Sequence, residues 1–259
     1  MRWVTTIFNL KPFNMKYYIV IFSFLCLNHL LYSQELKIDS IDTIKATKVT
    51  PSIKKYIQYI ENLDGSVTFN SILTREIQKI NYKGDKAFLI IQKYQMSKGT
   101  DIDSSFVNAV NLKPLAYHTN ISSQGYKEIV EFSKNEISNQ IITGDSISNS
   151  MKSNNKSFNG VITNDVIGEL PFEIGKVFVL NMVNPGKRYK EYTTTIKVLG
   201  IETIALNTTT KIKCWKLNIT SGQSNKGTTE WYSMDYQIQM KSVFKFGEGK
   251  KFIRTMIIQ

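Results

Sequence analysis

The 259-residue sequence has few of the side chains that build covalent cross-links, metal centres and general bases. It contains two cysteines and two histidines, and loss of an N-terminal leader would leave Cys214 and His118. One cysteine cannot form an internal disulfide, and one histidine with one cysteine cannot complete a structural zinc site. We therefore expect no disulfide, no metal site and no cofactor.

Arginine is scarce as well. The sequence has 33 basic residues and a formal net charge of +12, but only four of these residues are arginine, and the lysines are scattered along the chain. Arginine is the side chain that most often reads base edges. The positive charge therefore does not indicate a nucleic-acid partner, and we expect none.

Signature motifs of several enzyme classes are missing. No Gly-x-Ser-x-Gly turn presents a nucleophile, and no Gly-rich phosphate loop follows a strand. Asp101-Ile102-Asp103 opens like a calcium loop, but Phe106 and Leu112 stand where that loop requires Gly and Glu. We predict that the protein is not an enzyme and has no catalytic residues. A hydrolase built on two carboxylates from separate strands is the alternative left open.

An apolar run near the N-terminus has the pattern of a secretory signal peptide. Within residues 15–34, Lys16 precedes an apolar core, and the small residue Ser33 precedes Gln34. Residues 17–32 are short for a membrane span and carry Asn28 and His29. We expect residues 1–33 to be removed, with Met15 as an alternative start. The mature chain would then be periplasmic or secreted, with no integral membrane span.

The rest of the chain reads as one β domain. Residues 34–50 are polar and irregular, which predicts a flexible arm, and residues 51–259 form the domain. Residues 143–160 consist mainly of Ser, Asn and Lys, which predicts a mobile loop. Without Arg2, Lys11 and Lys16, the mature chain keeps 30 basic and 21 acidic residues and a net charge of +9.

Alternating side chains predict long antiparallel strands in the last quarter, residues 211–258. Trp215, Leu217 and Ile219 would share one face, and Ile238, Met240, Phe244 and Phe246 would point inward together. Residues 51–61 fit either a helix or a strand, and the turn signal at residues 62–65 favours the strand. No helix is compelling after the leader. Frequent turn signals indicate an all-β sandwich or an open barrel.

Short motifs resemble a known family. Asn111-Leu112-Lys113-Pro114-Leu115, the run 169–176 and Glu230-Trp231-Tyr232-Ser233 are similar to motifs of the bacterial domain-of-unknown-function family 3108. The resemblance covers about residues 52–258. It implies a LolA-like fold, in which a curved antiparallel sheet forms an incomplete, open β-barrel. It implies no established activity and no catalytic residues.

These observations favour an exported, non-enzymatic protein that binds a lipid or another apolar ligand, such as an acyl chain, in a concave face. The candidate ligand-lining residues are Trp215, Trp231, Tyr232, Met240 and Phe244, although aromatic residues in strands more often belong to a core. The alternative is a structural or partner-binding envelope protein that uses its convex face or residues 143–160.

Overall fold

The computed structural model describes most of the chain that follows the expected leader. The described residues are 35–38, 43–133, 136–142, 147–152, 156–184, 190–222, 227–247 and 249–258. The predicted signal peptide, residues 1–33, lies outside them.

The described residues form sixteen β-strands and one short α-helix, α1 (Thr163–Gly168). In chain order the strands are β1 (Glu35–Ile38), β2 (Ser52–Glu61), β3 (Val67–Tyr82), β4 (Asp85–Met96), β5 (Gly99–Asn108), β6 (Pro114–Ile121), β7 (Tyr126–Phe132), β8 (Glu136–Ile141), β9 (Ile147–Lys152), β10 (Phe158–Asn159), β11 (Val177–Asn184), β12 (Lys190–Ala205), β13 (Lys211–Ser221), β14 (Thr228–Ser233), β15 (Gln239–Phe246) and β16 (Lys250–Ile257).

The strands join into one sheet. Its order is β1-β11-β12-β13-β14-β15-β16-β2-β3-β4-β5-β6-β7-β8-β9, and β10 pairs with β11 beside this path. Neighbouring strands are antiparallel except that β1 and β10 run parallel to β11. The last strand, β16, pairs with β2 in the middle of the sheet. The sheet is curved and does not close, which confirms the predicted all-β, open architecture.

One face of the sheet is covered by segment 158–170, and we call it the inner face. This segment contains β10, a 3-10 turn (Gly160–Ile162) and α1. The Asn159 side chain caps the turn by accepting a hydrogen bond from the Val161 backbone N–H at 2.9 Å. Five apolar side chains of the segment are fully buried against the sheet, and they are Phe158, Ile162, Val166, Ile167 and Leu170. The main core therefore lies between this segment and the inner face.

The sequence did not predict α1. The helix has six residues, which is too short for a helical period to stand out. An isolated helix of this length is unstable in water, so its conformation depends on the burial of Val166 and Ile167 against the sheet.

Two segments predicted to be mobile contain described secondary structure. In the expected arm, β1 pairs with β11, and Ile44 joins the main core. Within residues 143–160, β9 pairs with β8 and β10 pairs with β11. The mobility of either segment stays a prediction.

The strand predictions for residues 51–61 and 211–258 are confirmed by β2 and by β13 to β16. One detail is wrong, because Phe244, which was expected to point inward with Met240, is 36% exposed. A β-bulge places Trp231 opposite Lys241 and Tyr232 opposite Gln239, so Met240 has no direct partner across it. An added residue changes which face the following side chains take. Met240 consequently packs with Trp231 and Cys214, in a cluster separate from the main core.

Candidate functional site

Trp215 and Tyr232, two of the predicted ligand-lining residues, belong to the main core. They are direct neighbours across β13 and β14. The ring of Phe172 packs edge-on against both, with centroid distances of 6.0 and 5.8 Å. The buried Tyr232 hydroxyl donates a hydrogen bond to Glu230 Oε2 at 3.0 Å.

The other predicted residues lie elsewhere. Trp231 and Met240 belong to the second cluster, where the ammonium groups of Lys216 and Lys241 lie 5.8 and 5.7 Å from the Trp231 ring centroid. Phe244 stacks on Phe246 at 6.2 Å. The structure thus does not gather all five residues around one cavity. Their contact with a ligand stays a prediction.

The inner face also carries a row of polar side chains that crosses six strands. Cross-strand register aligns one residue from each of β2 to β7, and these are Lys54, Arg75, Gln92, Asp103, Thr119 and Glu128. This row was not predicted from the sequence, because its members are single residues on six different strands. Only the register of the sheet brings them together.

A small cavity lies at the positive end of this row, beneath α1. Its volume is about 40 Å³, and its lining includes Lys54, Tyr56, Arg75, Asp165 and Gln239. We call it the α1 cavity. Arg75 and Asp165 form a buried ion pair, with side chains 4% and 9% exposed. The second guanidinium nitrogen, Arg75 Nη1, is buried without a hydrogen-bond partner in the described chain.

Burial governs the ionisation of two groups in this cavity. It lowers the pKa of Lys54, and the nearby Asp165 carboxylate offsets part of that effect. Burial also raises the pKa of Tyr56 to about 12. Low polarity disfavours the charged form of each group, so a positive Lys54 in this position is costly without a nearby anion.

Both carboxylates that line the α1 cavity already have partners. Asp165 pairs with Arg75. Glu169 accepts hydrogen bonds from the backbone N–H groups of Lys48 at 2.7 Å and Val49 at 3.0 Å, and from the Thr47 hydroxyl at 3.0 Å. These contacts hold the chain before β2 against the end of α1. Both carboxylates therefore have structural partners, and this does not favour a hydrolase that uses them as acid and base.

A larger apolar depression lies next to the α1 cavity. It has a volume of about 640 Å³, and its apolar lining side chains are Ile212, Met234, Ile238, Met240 and Met256. Lys211, Lys213 and Asp235 also line it. A neighbouring depression of about 560 Å³ shares Met256 and adds Ile53, Lys54, Lys55, Ile257 and Ile258. We call the two together the methionine groove.

The groove and the α1 cavity share lining residues. Lys54 lines the cavity and the second depression, while Tyr236 and Ile238 line the cavity and the first. The loop between β14 and β15 thus separates an apolar space from a polar one. Of the five predicted ligand-lining residues, the lining of this groove includes Met240.

His118 is not hydrogen-bonded through Nε2 to any nucleophile in the described part of the chain. Its Nε2 atom is buried without a hydrogen-bond partner there, its ring packs 4.9 Å from that of Phe106, and burial lowers its pKa. Within the described ranges, no cluster of His, Cys, Asp or Glu could hold a metal ion. The same ranges contain no helix with the length and apolar character that a bilayer crossing requires.

A family model for proteins of unknown function, DUF3108, matches residues 57–254. The chain belongs to the DUF3108 family. The match confirms the resemblance drawn from the short motifs, and it includes Arg75, Asp165 and the loop between β14 and β15. Lys54, Tyr56 and Met256 lie just outside the matched range of this DUF3108 protein. No curated protein matches the chain.

Solved structures also resemble this DUF3108 protein. The β-barrel-like DUF1849 protein from Brucella abortus has 8% sequence identity and a TM-score of 0.52, over 83% of this chain and 97% of that one. At this identity the likeness shows the fold alone. A DUF1329 family protein from Desulfovibrio piger has 10% identity over 84% and 87% of the two chains, with a TM-score of 0.28. That score is too low to support an inference.

Proposed function

We propose that this protein is an exported, non-enzymatic carrier or receptor that binds an apolar ligand or acyl chain in the methionine groove. The observation that supports the proposal is the groove itself, with about 640 Å³ of space lined by isoleucine and methionine side chains. Pockets for small ligands commonly have volumes of about 300–1,000 Å³.

The apolar part of the inner face is a poorer place for the ligand. Segment 158–170 fills it, and Phe158, Ile162 and Leu170 are buried there against the sheet. A ligand would have to displace packed side chains at that position. We therefore propose the open groove, and not the concave face, as the position of the ligand.

The lining side chains suit a flexible chain. Methionine is unbranched and polarizable, so Met234, Met240 and Met256 could repack around ligands of different shape. Each buried methylene contributes about 0.8 kcal/mol. A chain that buries about eight methylenes would gain roughly 6 kcal/mol before the entropic cost of binding.

Charge around the groove favours a ligand with an anionic end. Lys211 and Lys213 line one depression, Lys54 and Lys55 line the other, and Asp235 is the acidic residue among these linings. The net charge of +9 expected for the exported chain acts in the same direction at long range.

Filling the groove tests the proposal. Met234→Trp should weaken binding of dodecanoate by at least tenfold, because the indole would occupy the space of the chain. Native mass spectrometry and displacement of a fluorescent fatty acid measure this binding. Val110→Trp is the matched control, since Val110 is 68% exposed and lies outside the groove. Failure of the delipidated wild-type protein to bind any chain-bearing compound would refute the proposal.

A further inference from the structure

We propose that the α1 cavity holds the carboxylate of the ligand whose acyl chain lies in the methionine groove. This inference rests on the proposed function, and it names the ligand class as an aliphatic carboxylic acid.

The cavity contains donors that the described chain leaves unused. Arg75 is almost fully buried, and its Nη1 atom has no hydrogen-bond partner there although its other terminal nitrogen pairs with Asp165. A buried guanidinium N–H without a partner is costly and rare in native proteins. A carboxylate in the cavity would supply the missing acceptor, and guanidinium–carboxylate bonds are among the strongest in proteins.

The charges that face the cavity leave one cation in excess. The lining includes Lys48, Lys54 and Arg75 against Asp165 and Glu169. Arg75 pairs with Asp165, and the Lys48 ammonium donates to the Gly168 carbonyl at 3.1 Å and to the Gln237 side chain. Lys54 thus has no carboxylate of its own among these lining groups. A bound monoanion would balance the set.

The position of Lys54 connects the two spaces. Its side chain lines both the α1 cavity and the depression around Met256. Tyr236 and Ile238 line the cavity and the depression around Met234. A ligand can therefore place its polar end beside Lys54 while its chain stays among the methionines.

The volume of the α1 cavity limits the size of the head group that it can hold. A water molecule needs about 10–15 Å³ of such space, so a cavity of about 40 Å³ holds roughly three or four atoms of that size. This is enough for the carboxylate group. A phosphate monoester carries close to two negative charges at neutral pH, whereas the charged groups that line the cavity leave one cation in excess.

The variant Lys54→Met tests the head-group site independently of the groove. Methionine keeps the apolar stem and removes the ammonium group. Because a buried cation is costly, we expect the variant to be at least as stable as the wild type. Weaker binding by Lys54→Met could then not be ascribed to unfolding. Lys93→Met, on the exposed part of β4, is the matched control.

The experiment measures dissociation constants for dodecanoate, dodecanol and dodecyl phosphate by isothermal titration calorimetry at neutral pH. For the wild type and Lys93→Met we expect dodecanoate to bind roughly 10- to 100-fold more tightly than dodecanol, the range of one charge-assisted interaction. In Lys54→Met that preference should fall by at least about fivefold, because Arg75 still offers a donor but the excess positive charge is gone, while dodecanol affinity stays within about twofold.

An unchanged preference for dodecanoate in Lys54→Met would overturn the head-group site. Dodecyl phosphate binding as tightly as dodecanoate would overturn the assignment to a carboxylate. Equal binding of dodecanol and dodecanoate to the wild type would overturn the inference but leave the groove in place. If none of the three compounds binds, the proposed function fails, and this inference fails with it.

Discussion

Replacing Arg75 by methionine tests how segment 158–170 is held on the sheet. The substitution removes the guanidinium and leaves the Asp165 side chain, which is 9% exposed, without its partner. Breaking a buried ion pair by removing one member costs about 3–5 kcal/mol, because the remaining charge stays desolvated. Whole domains are stable by only about 5–15 kcal/mol, so we expect a large loss of stability.

Urea unfolding followed by tryptophan fluorescence measures this loss as a lower transition midpoint with a similar slope. The double variant Arg75→Met/Asp165→Leu should recover most of it, because a buried ion pair can often be replaced by apolar side chains at little cost. Together with Asp165→Leu alone, these variants complete a double-mutant cycle that isolates the coupling between the two residues.

An exposed ion pair provides the control. Lys83 Nζ lies 2.8 Å from Glu131 Oε2, with side chains 65% and 33% exposed. Solvent screens such a pair, so Lys83→Met should cost no more than about 1 kcal/mol. Equal losses for Arg75→Met and Lys83→Met would refute the reasoning. A double variant that is as unstable as Arg75→Met would refute it too.

Two further predictions concern pH and export. Burial raises the pKa of Glu230 in the folded protein. The Glu230 carboxyl therefore ionises at lower pH in the unfolded chain than in the folded one. Folding stability is consequently lost as the pH rises from the unfolded to the folded pKa of this group. Glu230→Gln should therefore lose less unfolding free energy between pH 4 and pH 8 than the wild type. An equal loss in both proteins would contradict a raised pKa for Glu230. Protein recovered after export should begin at Gln34 by intact-mass measurement, whereas a mass that still includes residues 1–33 would count against cleavage there.

Much of the fold could be predicted from local pattern. In β13, Trp215, Leu217 and Ile219 alternate with polar residues, and this period of two is a direct consequence of strand geometry. The turn signal at residues 62–65 favoured a strand for β2, and this signal also depends only on neighbouring residues in the sequence. The exceptions are α1 and Met240. Packing against the sheet stabilises the first, and a β-bulge redirects the second.

The candidate site could not be predicted in the same way. Arg75 and Asp165 are 90 residues apart in sequence, and Lys54 and Gln239 line one cavity only because the sheet carries β16 beside β2. The methionines of the groove lie in one loop and on two strands. Neither their spacing in the sequence nor the composition predicts that they are neighbours. Met240 was selected from the sequence as a ligand-lining residue, whereas Met234 and Met256 were not.

The sequence by itself determined that this chain forms antiparallel strands and that its family is DUF3108. These properties depend on residue type and on spacing along the chain. Tertiary structure alone decided that segment 158–170 fills the apolar inner face and that Lys54 and Arg75 share a cavity beside the methionine groove. The physical reason is that cavities and buried charge pairs are made by residues distant in sequence, whose proximity depends on the register and curvature of the whole sheet.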